Sequence, residues 1–312
     1  MSELTVKTNG MRHIEHETDL CIIGGGLTGL CAAIAAAREG TKVVLIQDRP
    51  VLGGNASSEI RMWVRGAHGL ENRETGVISE LEEENIYLNP TLMPSTFDNV
   101  MWAKVKAEKN ITLLLNTTCC DCEKTEKDGV SHITSITAWQ MTTYTWHTVR
   151  AKYFADCSGD SILAELSGAA YRVGRESRDE FGEYAAPDVA DSYTMGSSCL
   201  IEARKTDHPC TFIPPQWAYT YPDDESMYLK NHDIIGTGVN FWWIELGGEE
   251  ETDPLRDAEE IRKELVRVAM GVWDHIKNGG DHGADNWELD FIGFLPGKRE
   301  SRRYVGDYVI TQ

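Results

Sequence analysis

A glycine-rich turn between a short apolar strand and an alanine-rich helix constrains the fold of this 312-residue chain more than any other feature. Residues 20–23 form the apolar run, and residues 24–29 have the spacing G-x-G-x-x-G. Apolar residues then recur at helical intervals, and residues 42–46 supply a second apolar strand. This order predicts a βαβ unit that binds a dinucleotide through its pyrophosphate.

The residues of the turn have distinct predicted roles. Gly24 permits a tight turn, Gly26 lets the backbone approach a phosphate, and Gly29 allows the helix to pack closely on the strand. Leu27 and Thr28 begin the helix, whose first N–H groups and positive dipole end suit the phosphates. We therefore expect all five residues to contact the cofactor.

The end of the second strand departs from the usual pattern. An acidic residue normally accepts the ribose hydrogen bonds there, but this chain has Gln47, Asp48 and Arg49. Since an amide oxygen accepts such bonds as well, both Gln47 and Asp48 are candidates.

Composition narrows the function classes. Acidic residues outnumber basic ones 50 to 30, and the net charge of −20 disfavours nucleic acid and anionic membrane surfaces. We favour a solvated acidic surface as the explanation of this charge. No apolar run approaches the ~20 residues of a membrane span, and the first 17 residues lack a signal peptide's apolar core. We therefore expect a cytoplasmic protein that acts on a small molecule; the oligomeric state stays open.

The eight cysteines are expected to be reduced thiols. Cys119, Cys120 and Cys122 lie within four residues, but a metal or iron–sulfur cluster needs a fourth ligand and usually wider spacing. We interpret them as small side chains at the end of a strand and predict no metal site. Cys157 is interpreted as a packing residue rather than a nucleophile.

The remaining pattern predicts two domains. Helices over residues 79–88 and about 96–109, a strand over 111–115 and an antiparallel meander over 133–155 extend the first unit into an α/β domain with a parallel sheet. The composition changes near residue 171, so we predict domains 1–170 and 171–312, the second being an α+β substrate domain.

The second predicted domain is rich in aromatic residues and has one long helix. Asp253 and Pro254 are predicted to begin that helix, which ends before Gly279. The tryptophans of this domain could stack on sugar rings or pack in the hydrophobic core, and we favour packing in the core. The five in this domain are Trp217, Trp242, Trp243, Trp273 and Trp287.

The run LGGNASSE at residues 52–59, together with GGGLTG and IQDR, resembles flavoproteins of the glutathione-reductase and hydroxybenzoate-hydroxylase type. The segments WWIELGG, GVWDHIKN and LPGKRESRRYVGDYV resemble one family within that group, the FAD-dependent oxidoreductases often labelled xanthan-lyase-like. The resemblance extends from Asp19 onward. It implies a Rossmann-like FAD-binding domain, FAD as cofactor and a redox reaction.

The resemblance also implies further cofactor contacts. After the second strand these are Arg49, Gly53, Gly54, Asn55, Ala56 and Ser57. A second turn, at residues 156–160, is similar to the Ala-Thr-Gly turn that closes against FAD in related flavoproteins, with Cys157 and Ser158 in place of alanine and threonine. It adds Gly159 and Asp160 as cofactor contacts.

Two segments supply the catalytic candidates. Arg61 could face the flavin or an anionic substrate, and His68 has a suitable intrinsic pKa for a base; the alternative is a solvated loop or an ion pair with Glu59 or Glu71. Arg299 and Arg302 belong to a cationic run that suits carboxylates, phosphates or polyhydroxyl groups, or that forms an exposed strand edge.

Two histidines near the end of the long helix are weaker candidates. A favourable interaction with the helix dipole is sufficient to explain His275. His282 follows shortly after the helix ends.

The resemblance implies a further segment beyond residue 312 that completes the FAD sheet. We therefore expect the chain as given to bind FAD weakly or not at all. Three functions remain open: a dehydrogenase or oxidase of a small polar, carbohydrate-like substrate, an electron-transfer subunit of heterodisulfide-reductase type with an iron–sulfur partner, or an inactive fragment.

Overall fold

The structure is a computed structural model that describes residues 10–67 and 69–311. It divides into two compact units, each built from separate parts of the chain. Among the described residues, unit 1 contains 10–58, 63–172 and 302–309, and unit 2 contains 59–62, 173–301 and 310–311. The sequence pattern indicated a domain boundary near residue 171. It did not indicate that residues 59–62 belong to unit 2 or that residues 302–309 belong to unit 1.

Unit 1 is built around a six-stranded sheet. Its elements are β1 (Arg12–Ile23), α1 (Leu27–Arg38), β2 (Val43–Ile46), α2 (Gly76–Leu88), α3 (Pro94–Ala107), β3 (Ile111–Leu114), β4 (Thr117–Lys127), β5 (Val130–Gln140), β6 (Thr145–Asp156), α4 (Ile162–Ser167) and β7 (Tyr171–Arg172). The strand order is β3-β2-β1-β6-β5-β4. The first four of these strands are parallel, and β5 and β4 form the antiparallel meander. The predicted α/β class is confirmed.

β1 is longer than the sequence predicts. It pairs with β6 from Arg12 opposite Thr145 to Ile23 opposite Asp156. Its first half has polar and only partly buried residues, whereas its last three residues are buried. The apolar pattern therefore indicated only the end of the strand, which packs against α1 through Ile22.

The cysteine cluster lies in β4, the edge strand of the sheet. The sequence suggested that the cluster lies at the end of a strand, but it lies near the start of β4. Cys119 is buried, and burial raises its pKa to about 12. Cys119 is therefore a packing side chain.

Unit 2 contains an antiparallel sheet covered by one long helix. Its elements are α5 (Arg178–Phe181), β8 (Ser197–Lys205), β9 (Val239–Leu246), α6 (Ala258–Asn278) and β10 (Trp287–Ile292); β11 (Arg303–Tyr304) then pairs with β7 in unit 1. The strand order is β10-β8-β9. α6 and one face of the sheet share a core, so the expected α+β architecture is confirmed.

α6 begins later than predicted, because Asp253 caps the turn before the helix. Its Oδ1 accepts hydrogen bonds from the backbone N–H groups of Leu255 and Arg256, both at 2.9 Å. The helix proper starts at Ala258 and ends at Asn278, as expected.

Three of the five tryptophans of this unit are core residues, as favoured from the sequence: Trp242, Trp273 and Trp287. Trp217 and Trp243 are half-exposed instead, at 49% and 48%. Aromatic surface is therefore available in unit 2.

None of the helices in the described part of the chain is both long enough and apolar enough to cross a membrane.

Candidate cofactor and substrate sites

Two glycines of the turn after β1 are required by the fold itself. Gly24 has φ of +102°, and a Cβ there would lie 2.2 Å from the carbonyl oxygen of Cys157. A Cβ at Gly29 would lie 1.9 Å from the carbonyl oxygen of Gly24. The first glycine thus allows the turn and its contact with the neighbouring strand, and the second lets α1 approach β1.

Gly26 is different, because the protein leaves space around it. Among the described residues, the nearest atom to a Cβ at this position would be the Cα of Gly54, at 3.9 Å. Its φ of −62° suits any residue. A glycine here is explained by the approach of a ligand to the backbone.

The start of α1 is suited to an anion. Gly26 is its N-cap residue, and no side chain of the described residues caps it. The first turn has no acidic residue, and Thr28 is exposed. Since the first N–H groups of a helix have no partner within the helix, α1 offers donors and a positive dipole end.

The second glycine pair lies directly on this turn. The N–H of Gly53 donates to the carbonyl of Gly25 at 2.9 Å, and Gly53 and Gly26 form an isolated parallel bridge. Gly53 and Gly54 both have positive φ, and a Cβ at Gly54 would lie 3.2 Å from the Cα of Gly26. The two glycine-rich segments therefore form one continuous backbone surface.

Gln47 must be corrected as a ribose ligand. It is 2% exposed, its Oε1 accepts the N–H of Gly25 at 2.7 Å, and its Nε2 donates to the carbonyl of Val51 at 3.1 Å. Both ends of the amide thus support the glycine turn. The side chain of Asp48 is 62% exposed and remains the candidate.

Ser57 also stabilises the protein itself. It is fully buried, and its hydroxyl donates to the carbonyl of Gly54 at 2.7 Å. The cofactor contact predicted for Ser57 stays a prediction. Asn55, in the same short turn, is exposed. It remains a predicted contact, as do Arg49 and Ala56.

Asp156 organises the turn after β6. Its Oδ1 accepts the N–H and the hydroxyl of Ser158 at 3.0 and 2.6 Å. Its Oδ2 accepts the N–H of Leu163 at 2.8 Å and the hydroxyl of Tyr304 at 2.7 Å. The turn is thereby held at the carboxyl end of β6, beside the end of β1.

The turn itself presents open backbone. Gly159 is exposed with φ of +83°, and a Cβ there would meet no described atom within 4 Å. Burial and the nearby Asp156 carboxylate raise the pKa of Cys157. A protonated, half-buried thiol fits the packing role predicted for Cys157.

Three segments therefore meet at the carboxyl edge of the parallel sheet: residues 24–29, 53–57 and 157–160. We name them together the nucleotide edge. The space at Gly26 and the uncapped start of α1 fit a dinucleotide pyrophosphate, and such edges are where open α/β sheets bind ligands.

A family model described as "FAD dependent oxidoreductase" matches residues 19–312. The chain belongs to this family. FAD is therefore the cofactor of this family member, as the sequence resemblance implied.

Curated relatives of this FAD-dependent oxidoreductase match over short stretches. Glycerol-3-phosphate dehydrogenase of Mycobacterium leprae (strain TN) is 36% identical over 76 residues, which cover 24% of this chain and 13% of the relative. Fumarate reductase (cytochrome) of Shewanella frigidimarina is 50% identical over 42 residues, 13% of this chain and 7% of the relative. The chain thus matches only a small part of either relative's length.

A solved structure is similar over more of the chain. The p-nitrophenol 4-monooxygenase PnpA from Pseudomonas putida DLL-E4 covers 94% of this chain and 68% of its own, with 12% identity and a TM-score of 0.41.

Arg61, which was predicted to face the flavin or an anionic substrate, lies in an ion-pair network, and its catalytic role stays a prediction. Its Nη1 lies 2.8 Å from Glu202 and 3.2 Å from Asp290, and its guanidinium lies 4.0 Å from the ring centre of Phe291. All four residues belong to unit 2. The sequence alternative was an ion pair with Glu59 or Glu71. Arg61 does form ion pairs, but its partners are distant in sequence.

We expect Arg61→Ala to destabilise unit 2 by about 2–3 kcal/mol, because the buried Glu202 carboxylate would lose its counter-charge. Urea unfolding checks this. As a control, Arg262→Ala removes an ion pair with Glu259 on the exposed face of α6 and should cost less than about 0.5 kcal/mol. Equal losses in the two variants would contradict a structural role for Arg61.

The predicted cationic run does not form one cluster. Arg302 belongs to unit 1, where it pairs with Glu165 at 3.2 Å and lies over the ring of Tyr171. Arg299 belongs to unit 2 and pairs with Glu245 at 3.2 Å. Both arginines therefore have structural partners, and neither is shown to be catalytic. His68 lies outside the described residues and stays a prediction.

β9 carries a polar and aromatic face that the sequence analysis did not single out. Phe241 and Trp243 are exposed, whereas the alternate residues Trp242 and Ile244 pack in the core with α6. Glu245 follows on the same face as Trp243. We name Phe241, Trp243 and Glu245 the β9 outer face. The sequence VNFWWIEL contains the signal for this face, because alternate residues of a strand point to opposite sides of a sheet.

Proposed function

We propose that this protein is a dehydrogenase or oxidase that removes a hydride from a small polar substrate of the alcohol or carbohydrate class. The observation that carries the proposal is the nucleotide edge, in which Gly26 is open to a ligand although the fold does not require a glycine there. Bound FAD supplies hydride acceptance.

The residues of the nucleotide edge, and Gln47 and Asp48 after β2, have separate roles in this proposal. Residues 24–29 bind the pyrophosphate through backbone N–H groups at the start of α1, and Asp48 accepts the ribose hydroxyls. Gly159 leaves its backbone open to the cofactor. Gln47 acts through the turn: it holds the N–H of Gly25 and thus fixes the backbone that binds the phosphates.

The β9 outer face supports the substrate class. Exposed aromatic rings stack on the apolar faces of sugar rings, and carboxylate and guanidinium groups bind hydroxyls. Trp243 and Phe241 supply the rings, and Glu245, on the same face of β9, pairs with Arg299 at 3.2 Å. The donors and acceptors of this pair are partly exposed and so accessible to a small polar molecule.

Anaerobic reduction tests the proposal. The protein is mixed with excess FAD and a panel of sugars, sugar alcohols, small alcohols and hydroxy acids, and flavin absorbance is followed. We expect at least one polyhydroxyl compound to bleach the flavin. Absence of bleaching by the whole panel, in protein that binds FAD, would contradict the proposed substrate class; iron in that protein would favour the electron-transfer alternative.

We expect Trp243→Ala to raise the substrate concentration for half-maximal reduction by about tenfold, because a stacked ring contributes about 1.4 kcal/mol. Trp217→Ala is the matched control, since Trp217 is equally exposed in the same unit but lies outside the sheet. Equal effects of the two substitutions would show that the β9 outer face does not bind substrate.

A further inference from the structure

Three buried histidines and one aspartate converge in unit 2, and none of them belongs to the nucleotide edge or the β9 outer face. His232, His275 and His282 are 6%, 1% and 8% exposed, and the potential ligand atoms of these histidines and Asp224 all lie within 4.8 Å of one another. We propose that these four residues, which we name the His3Asp cluster, bind a zinc ion that stabilises unit 2.

The hydrogen bonds of the rings define which nitrogen atoms face the centre. The Nδ1 atoms of His232 and His275 contact the carbonyl oxygens of Leu229 and Tyr221, at 2.7 and 2.8 Å. Because a carbonyl oxygen only accepts, each Nδ1 carries the proton and donates it. In a neutral imidazole this leaves Nε2 with a bare lone pair.

His282 is oriented in the same way. Its Nδ1 lies 2.8 Å from a carboxylate oxygen of Asp233 and donates to it. All three histidines therefore have an outward hydrogen bond from Nδ1 to an acceptor. This is the usual arrangement around a metal ion, where such bonds fix the ring orientation and raise the basicity of the ligand nitrogen.

The Nε2 atoms surround one carboxylate oxygen. Asp224 Oδ1 lies 3.0 Å from Nε2 of His275, 3.5 Å from that of His232 and 3.6 Å from that of His282. Within the described chain, Nε2 of His232 and of His282 is buried and has no hydrogen-bond partner. Nε2 of His275 lies within hydrogen-bonding distance of Asp224 Oδ1, whereas the two unpartnered Nε2 atoms would gain a partner from a cation bound among the four residues.

The dimensions and the ligand types favour zinc. Ligand bonds of about 2.1 Å in a tetrahedron place the ligand atoms about 3.4 Å apart. Three of the six distances between ligand atoms, those from Asp224 Oδ1, are 3.0–3.6 Å and close to this value. The four ligand atoms lie within 4.8 Å of one another, so the histidine rings would move closer together around an ion. Three imidazoles and one carboxylate form a closed four-ligand set, which is typical of a structural site rather than a catalytic one.

The His3Asp cluster lies where a long segment without secondary structure meets the end of α6. Residues 206–238, all of them described, contain no helix or strand, and a connection of this length without secondary structure is uncommon in a compact domain. Asp224 and His232 lie in this segment, His275 lies in the last turn of α6, and His282 follows the helix. An ion bound by all four would fasten the segment to the end of the helix.

This proposal replaces two interpretations from the sequence. The helix dipole was sufficient to explain His275, and no metal site was predicted. The ligands were not recognised because Asp224 and His232 are far in sequence from His275 and His282, and because β9 and α6 separate the two pairs.

Metal analysis of the whole chain, purified without a histidine tag, tests the proposal. After removal of metal with a chelator and addition of zinc, we expect about one tightly bound zinc ion per chain. The double variant His232→Gln/His282→Gln should bind zinc at least about 100-fold more weakly. Asp224→Ala, at an exposed carboxylate, should weaken binding at least about tenfold while the fold is retained.

His208→Gln is the control, because this histidine is exposed and lies in the same unit but outside the cluster. Independently, saturating zinc should raise the Tm of the unmodified chain by about 5 °C, and a chelator should reverse this. Unchanged zinc affinity in both cluster variants, or loss of binding in His208→Gln, would overturn the proposal. So would a preference for manganese over zinc, or a Tm that does not respond to zinc.

Discussion

Gly26→Val is expected to abolish FAD binding while the protein stays folded. A Cβ at this position would meet no described atom of the protein closer than 3.9 Å, so the substitution leaves the core unchanged. It would instead occupy the space through which a phosphate approaches the backbone at the start of α1. We expect Kd for FAD to rise at least about 100-fold, equivalent to about 2.7 kcal/mol, and about tenfold for Gly26→Ala.

Titration with FAD, followed by flavin fluorescence, measures this change, and a thermal melt verifies the fold. Gly238→Val is the control, since a Cβ at Gly238 would also meet no described atom within 4 Å and its φ is not in the left-handed region. Gly238 belongs to unit 2, so FAD affinity should not change. An equal Kd in Gly26→Val and the unmodified chain would show that the turn does not bind the cofactor.

Gly29→Ala is expected to destabilise the protein by at least about 3 kcal/mol or to prevent folding. Glycine-to-alanine exchange in a helix ordinarily stabilises by up to about 1 kcal/mol, so the expected sign is the reverse of the usual one. The cause is the 1.9 Å distance between the new Cβ and the carbonyl oxygen of Gly24. α1 would have to move from β1, and Leu30 and Ile34 would lose core contacts.

Chemical denaturation measures the loss in Gly29→Ala. Ala35→Ser is a suitable control because this residue lies on the exposed side of the same helix and should cost about 0.5 kcal/mol. If Gly29→Ala were as stable as Ala35→Ser, the close packing of α1 on β1 would be contradicted.

The local pattern of the sequence was sufficient for much of the fold. The βαβ unit, α2, α3, the meander and α6 were all predicted near their observed positions, because each has its own periodicity or turn residues. The first half of β1 was missed, since its register is determined by pairing with β6 and not by an apolar pattern.

The glycine turn was recognisable from the sequence because its backbone geometry depends on a few residues close together. Gly24 and Gly29 meet steric needs of the turn, and Gly26 leaves space at the start of α1. The partners of Gln47 and Arg61 were not predicted, because tertiary structure determines them: the amide of Gln47 holds the glycine turn, and Arg61 pairs with residues more than a hundred positions away. Side-chain chemistry alone does not reveal such partners.

The most direct test of the account is a titration of the unmodified protein and Gly26→Val with FAD under identical conditions. We predict saturable binding of about one FAD per chain for the unmodified protein and at least about 100-fold weaker binding for the variant. Failure of the unmodified protein to bind FAD saturably, or indistinguishable curves for the two proteins, would contradict the central claim that the turn at residues 24–29 forms the cofactor site.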